Sequence, residues 1–205
     1  MAVIARPRNR TGFTIIEMVI VMLLAGVMAA VVLPRAMRTT PQQEVQRTAR
    51  QLMRDLESAR MRAIAAKRVV RVSFYISESF YAAFQDTTPE MSGIITETES
   101  ESRAARFLSR GSNAGIPGVE LPANVTFGGG AATLGPLGTP PSDPIDLQND
   151  RVEFDARGMV RPVGGVRKGG TLFITHTDDP SVISAVTVSG SGAVRTWHYQ
   201  SGQWR

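Results

Sequence analysis

Cysteine is absent from this chain of 205 residues, so neither a disulfide framework nor a thiolate metal site is available, and the redox compartment stays open. Histidine is almost as scarce. His176 and His198 are the only two; they fall on or beside expected strands, with no His-x-x-Glu-His spacing and no paired carboxylates, which argues against metal or acid–base chemistry. Gly128-Gly129-Gly130 is not followed by Gly-Lys-Thr/Ser and has no strand–loop–helix frame, so it does not read as a phosphate cradle. Asp143, Asp146 and Asp150 miss the alternating pattern of a calcium loop. Asp178-Asp179 reads as the start of a turn, and the many serines and threonines have no evident base partner. The chain reads as non-enzymatic, with no cofactor implied.

What is present fits one membrane segment plus one globular domain of ordinary size. The 19 glycines and 12 prolines gather mainly after residue 110, favouring short strands and loops over a helical bundle. The net charge of +5 hints at nucleic acid, but losing Arg6, Arg8 and Arg10 takes 23 basic residues to 20 against 18 acidic ones, a net +2. Distribution says more. Residues 35–71 hold ten basic residues against Glu44, Asp55 and Glu57, whereas 86–101 hold Asp86, Glu90, Glu97, Glu99 and Glu101 without a base. The chain is polarised rather than uniformly cationic.

The densest apolar stretch covers residues 13–33, 21 residues with a single charge, Glu17. A hydrocarbon core about 30 Å thick needs roughly 20 such residues in helix. The run is too long for a cleaved secretory signal and ends in Pro34-Arg35 without a small-residue cleavage site. A plain anchor does not account for Glu17, because a carboxylate costs about 2.5–3.5 kcal/mol at the centre of a membrane helix, and less near its end. Cleavage between Gly12 and Phe13 supplies a partner: a new α-amine four residues before Glu17, roughly 6 Å away along a helix. Within one subunit that amine sits at the positive helix end; between subunits the carboxylate neutralises a neighbour's amine in a filament core.

Gly12-Phe13-Thr14-Ile15-Ile16-Glu17 resembles the class III signal of type IV prepilins and type II secretion pseudopilins. The resemblance implies that a prepilin peptidase cuts after Gly12, that Phe13 receives an N-methyl group, and that Glu17 guides subunit docking. Pro34 falls where the family's helix carries a proline. Arginines on both sides of the span leave orientation open by charge alone; the resemblance implies an N-terminus in the cytoplasm. The implied organisation is a cleaved leader over 1–12, a transmembrane and assembly helix over 13–38, and a periplasmic domain over 39–205, in a single-pass protein of the bacterial inner membrane. Its implied partners are the prepilin peptidase, other major and minor pseudopilins, the inner-membrane assembly platform and membrane lipid.

Pro34 is expected to bend the helix. Thr40-Pro41-Gln42-Gln43 reads as a restart, with Thr40 as N-cap and Gln43 closing a capping box. Val45, Ala49, Leu52, Leu56, Ala59, Ala63 and Ala66 then recur at steps of four and three, one apolar stripe on a helix ending near Ala66. Arg47, Arg50, Arg54 and Arg62 fall elsewhere on its surface and read as a solvated face, the alternative being a filament contact or a patch for an anionic ligand. A hairpin follows, with strands at 70–76 and 80–84 around Ser77-Glu78-Ser79. Residues 85–120 show no clear periodicity and read as a variable loop, and 128–150 read as turn chemistry throughout. Short strands are expected at 152–154, 171–175, 183–188 and 194–199. The fold class is α+β, pilin-like, with the long N-terminal helix packed on an antiparallel β-rich domain.

The helix-plus-hairpin block, with Leu56-Glu57-Ser58-Ala59-Arg60 leading into Val70-Arg71-Val72, and the later Gly192-Ala193-Val194-Arg195 resemble the H-type minor pseudopilins (the GspH/FimT family). Arg60 matches a characteristic family arginine and reads as snorkelling over the sheet edge. The resemblance implies a subunit of the type II secretion pseudopilus. The alternative is a FimT-like minor pilin that binds DNA in transformation, whose Gly-Arg-x-Arg sequence corresponds here to Gly192-Ala193-Val194-Arg195. With Ala193 in place of the first arginine, Arg195 is the remaining DNA contact and DNA is disfavoured, although Trp197 and Tyr199 offer stacking faces. A third reading is a bland periplasmic domain on an uncleaved anchor.

Overall fold

The computed structural model of the chain describes residues 14–36, 40–108, 110–138, 140–141, 143–162 and 166–205, apart from the side chains of residues 29–36 and of Arg106. The chain divides into two units, Met1–Thr39 and Thr40–Arg205.

The first unit holds α1 (Ile15–Ala36), a helix of 22 residues. Thr14 caps it: its carbonyl accepts the Met18 N–H at 3.2 Å and its hydroxyl accepts the Glu17 N–H at 3.3 Å, satisfying donors that a helix start leaves free. The helix does not stop at Pro34 but runs on to Ala36. Among the described residues no helix is long and apolar enough to cross a membrane. The side chains of α1 are described only over residues 15–28, fewer than the roughly 20 residues a bilayer requires.

The second unit opens with α2 (Pro41–Ala66), which starts at the extended Thr40 with Pro41 in its first turn. The capping box expected from Thr40 and Gln43 is not formed; Thr40 accepts the Gln43 and Glu44 N–H groups through its carbonyl alone. Lys67, in the left-handed conformation with φ 52°, ends the helix while the Arg68 N–H donates to the Ala63 carbonyl at 3.2 Å. The expected stripe is the buried one as far as Ala63: Val45, Ala49, Leu52, Leu56, Ala59 and Ala63 are all fully buried, while Ala66 at its end is only partly so.

Two antiparallel sheets pack on that stripe. The hairpin β1 (Val70–Tyr75) and β2 (Phe80–Gln85) pairs Val70 with Gln85 and Tyr75 with Phe80. A short helix α3 (Glu99–Ala104) precedes β3 (Gly111–Asn113), β4 (Ile116–Glu120), β5 (Val125–Phe127), β6 (Ile145–Asp146) and β7 (Arg151–Phe154). The chain closes with β8 (Gly170–His176), β9 (Ile183–Val188), β10 (Val194–Gln200) and β11 (Gln203–Trp204). The first sheet runs β3-β4-β2-β1-β7; the second runs β11-β10-β9-β8-β5, with β6 also on β8. Val70, Val72 and Phe74 from β1 and Leu172, Ile174, Val186 and Val188 from β8 and β9 share one core with α2.

The opposite face of the first sheet is also covered. Phe80, Ala82 and Phe84 form a second cluster with Ile95, which is why β2 reads as a continuous apolar run over residues 80–84. Residues 86–97 form the cover. The reading of 85–120 as a loop is therefore corrected: the segment contains α3, β3 and β4 and closes over the sheet. Thr98 and Glu101 cap α3 reciprocally, a Thr-x-x-Glu box that satisfies two free donors at once. On the second sheet, Phe173 meets Trp204 at 6.0 Å, and the Trp204 indole N–H donates to the Leu134 carbonyl at 2.7 Å, tying the glycine- and proline-rich segment to β11.

Candidate functional site

Glu17 lies in the first turn of α1, where the positive helix end favours a carboxylate. It is exposed, and so are the large apolar side chains around it: Ile15 is 87 % exposed and Met22 73 %. Gly12 and Phe13, the residues assigned to cleavage and methylation, lie outside the described residues. What the structure shows of this site is thus a capped helix whose hydrophobic surface is exposed among the described residues and whose single carboxylate stands at its start.

Arg195 sits on β10 opposite Thr187 and is exposed. Trp197 and Tyr199 follow at steps of two on the same strand face, but neither is a free stacking platform. The Trp197 indole N–H donates to the Thr187 hydroxyl at 3.0 Å, and the Tyr199 ring packs on Trp204 at 5.1 Å.

Each histidine has polar neighbours within the second unit. His176 is buried, accepts the Asp178 N–H on Nδ1 at 3.1 Å and lies 3.8 Å from Glu44. His198 lies 2.9 Å from the Ser184 hydroxyl; burial, then the nearby Arg50 charge, lowers its pKa and so favours the neutral ring. Burial and the Asp143 charge raise the Asp150 carboxyl. Among the described residues no group of three or more metal-ligating side chains converges.

The residues that sequence reasoning passed over are the acidic ones. Asp86, fully buried, accepts the Thr88 N–H and hydroxyl at 2.8 and 2.6 Å and the Gly93 N–H at 2.7 Å. Burial pushes its carboxyl up, but these bonds outweigh it and hold the pKa below the usual range. Glu97 accepts from Ser73 at 2.6 Å, Tyr75 at 3.0 Å and Arg71 at 3.1 Å. Here too burial is outweighed by the hydrogen bonds and the Arg71 charge, and the pKa is lowered. Tyr75 responds the other way: burial and then the Glu97 charge push its phenol up, so it remains a donor. Arg71, 8 % exposed, also pairs with Glu153 at 2.7 Å and donates to the Ile95 carbonyl at 3.0 Å. The acidic run is a clasp closing residues 86–97 over β1. A second buried carboxylate, Asp55 on α2, accepts the Tyr81 hydroxyl at 2.6 Å and pairs with Arg110.

Arg60 has the role expected of it. Its Nε donates to the Gly158 carbonyl at 2.9 Å, so the turn after β7 is held on the end of α2. Gly158 and Gly192 have φ values of 73° and 82°, and a Cβ on Gly192 would strike the Gly158 carbonyl oxygen. Only glycine allows the two turns, one from each sheet, to meet there.

Residues 7–33 match the model of the prokaryotic N-terminal methylation motif. No curated protein matches the chain. Among solved structures, the chain is similar to the type IV minor pilin FimU of Pseudomonas aeruginosa, with 14% identity, a TM-score of 0.45, and coverage of 79% of this chain and 92% of that one. It is also similar to the minor pseudopilin EpsH from the type 2 secretion system of Vibrio cholerae, at 14% identity and a TM-score of 0.45, over 78% of this chain and 99% of that one. At that identity and overlap neither likeness assigns this chain a role. The methylation motif, followed by an α+β domain with a helix on antiparallel sheets, has the organisation of a pilin-like protein.

Proposed function

We propose that this chain is a minor pseudopilin, a structural subunit rather than an enzyme, which joins a pseudopilus of the type II secretion kind and supports protein export across the outer membrane. One observation carries the reading: a methylation motif over residues 7–33 that runs into a helix with exposed apolar sides and one carboxylate in its first turn. In this reading prepilin peptidase cuts between Gly12 and Phe13, and Phe13 is methylated. Residues 13–38 then hold the chain in the inner membrane, with residues 39–205 in the periplasm, until the assembly platform draws it into the filament. Transfer from lipid into a helical filament core keeps the apolar surface of α1 out of water, and pairing with a neighbour's amine offsets the desolvation of Glu17.

A DNA-binding minor pilin gains no support from the site. Non-specific affinity for DNA needs several phosphate contacts, and Arg195 has Ala193 where a second arginine would stand. The test of the favoured reading is Glu17→Ala, with crosslinking to other pseudopilins in the native host. The variant is expected to insert into the membrane like the wild type and to lose its crosslinks; wild-type crosslinking in the variant contradicts the reading.

A further inference from the structure

The side of α2 that faces away from the core carries a stripe of its own. Arg47, Gln51, Arg54, Ser58, Met61 and Ala65 recur at steps of four and three, the spacing of a seam that a second helix can follow. Its first half is cationic, with Arg50 beside it and Arg62 flanking the second half; Glu57 is the acid alongside. Among the described residues none of Arg47, Arg50, Arg54 or Arg62 forms a salt bridge with a carboxylate. Arg54 donates instead to the Gln51 side-chain carbonyl at 2.7 Å, and Arg62 to that of Gln85 at 2.8 Å.

In its second half the stripe opens into a groove of about 1010 Å³ between α2 and α3, lined by the apolar Met61, Ala65, Ala104 and Phe107 together with Arg62 and Arg103. Met61 is 62 % exposed. A flexible thioether over an apolar floor adapts to a range of partner side chains, and arginines around the edge select for negative charge. Arg103 is held by Glu99 at 2.5 Å, whereas Arg62 is held by the neutral Gln85 side chain and the Ala104 carbonyl, so its charge is not matched by a carboxylate among the described residues.

We propose that this stripe and groove seat an acidic helix of a different subunit. Its apolar residues would enter the groove against Met61 and Phe107, and its carboxylates would run along Arg47, Arg54 and Arg62. A second copy of this chain does not fit in a two-fold contact, because the same arginines would face one another. The proposal rests on the reading of the chain as an assembling subunit and names the surface and the chemistry by which it chooses a neighbour.

The test places a photo-crosslinking residue at Met61 in the full-length chain in its native host, with a second at Ile94, which is 66 % exposed and outside the groove. Met61 is expected to crosslink to another pseudopilin through a helical peptide bearing Asp or Glu at four-and-three spacing. Yield should fall about tenfold in R54E/R62E, the equivalent of losing about 1.4 kcal/mol, and recover when the partner's carboxylates are changed to lysine. R54Q/R62Q, milder in charge, should give an intermediate loss, and unaltered thermal unfolding of both variants excludes a folding defect. Crosslinks only to lipid, to a second copy or to a peptide without acids overturn the proposal, as does a yield indifferent to R54E/R62E. Should the groove fail while Glu17-dependent crosslinks persist at Ile94, assembly stands and this surface does not; loss of Glu17 dependence at every position removes the assembly reading itself.

Discussion

The helices α1 and α2 are similar in length, 22 and 26 residues, and opposite in how they use hydrophobicity. In α2 most of the apolar residues fall on one stripe, and Val45, Leu52 and Leu56 are fully buried beneath two sheets. In α1 the apolar residues surround the axis, and those described are half to nine-tenths exposed. A helix with one apolar stripe has its partner inside its own domain, whereas one that is apolar all round needs a partner that encloses it. The position of charge follows the same division. Asp55 on α2 is buried but meets Tyr81 and Arg110, while Glu17 on α1 is exposed and has no counter-charge among the described residues.

That contrast is broken most strongly from the α2 side. Leu52→Ala should cost about 2–5 kcal/mol through lost burial and the cavity left behind, whereas Leu23→Ala should leave unfolding of the second unit unchanged. Thermal unfolding of both variants checks this, and equal shifts would erase the distinction. Next in size is Arg71→Met. Removing the cation leaves Glu97 and Glu153 facing each other without it, at a cost of about 3 kcal/mol, and hydrogen exchange should quicken across residues 86–97 before it does in α2.

Acid should do the same more gradually. Asp86 and Glu97 have pKa values lowered in the folded chain, so their contribution is complete above the ordinary carboxylate value of about 4. It is lost as pH falls through the lower folded values. Exchange measured down that range should show residues 86–97 opening first; uniform loss across the second unit would count against the clasp. The smallest effect is at α3, where Thr98→Ala should cost about 1 kcal/mol and shift the unfolding midpoint without touching α1.

Periodicity made α2, the hairpin and the four C-terminal strands legible, because each repeats over enough residues to show its face. The rest depends on partners far apart in the chain. Nothing local to Gly111–Asn113 or Val125–Phe127 announces a strand; β3 and β5 are short and are defined by pairing with β4 and β8. The acidic run reads as loop because it has no clear periodicity, and the Arg71 that captures Glu97 lies 26 residues earlier. One signal was available and unused: Thr98-x-x-Glu101 states a helix start on its own. The opposite error occurred at Thr40, where a suitable residue at Gln43 did not form the box. Of the candidate site, Glu17 was legible from its isolation among apolar residues, while the groove beside α3 was not, since α3 itself was missed.

The account rests on α1 being surrounded by partners outside its own chain after its N-terminus has been processed. The most direct measurement is the intact mass, with N-terminal fragmentation, of the protein purified from its native host with the peptidase present. The prediction is a chain that begins at Phe13 with a methylated amine. A chain that still begins at Met1, or one cut elsewhere with a free amine, would contradict it.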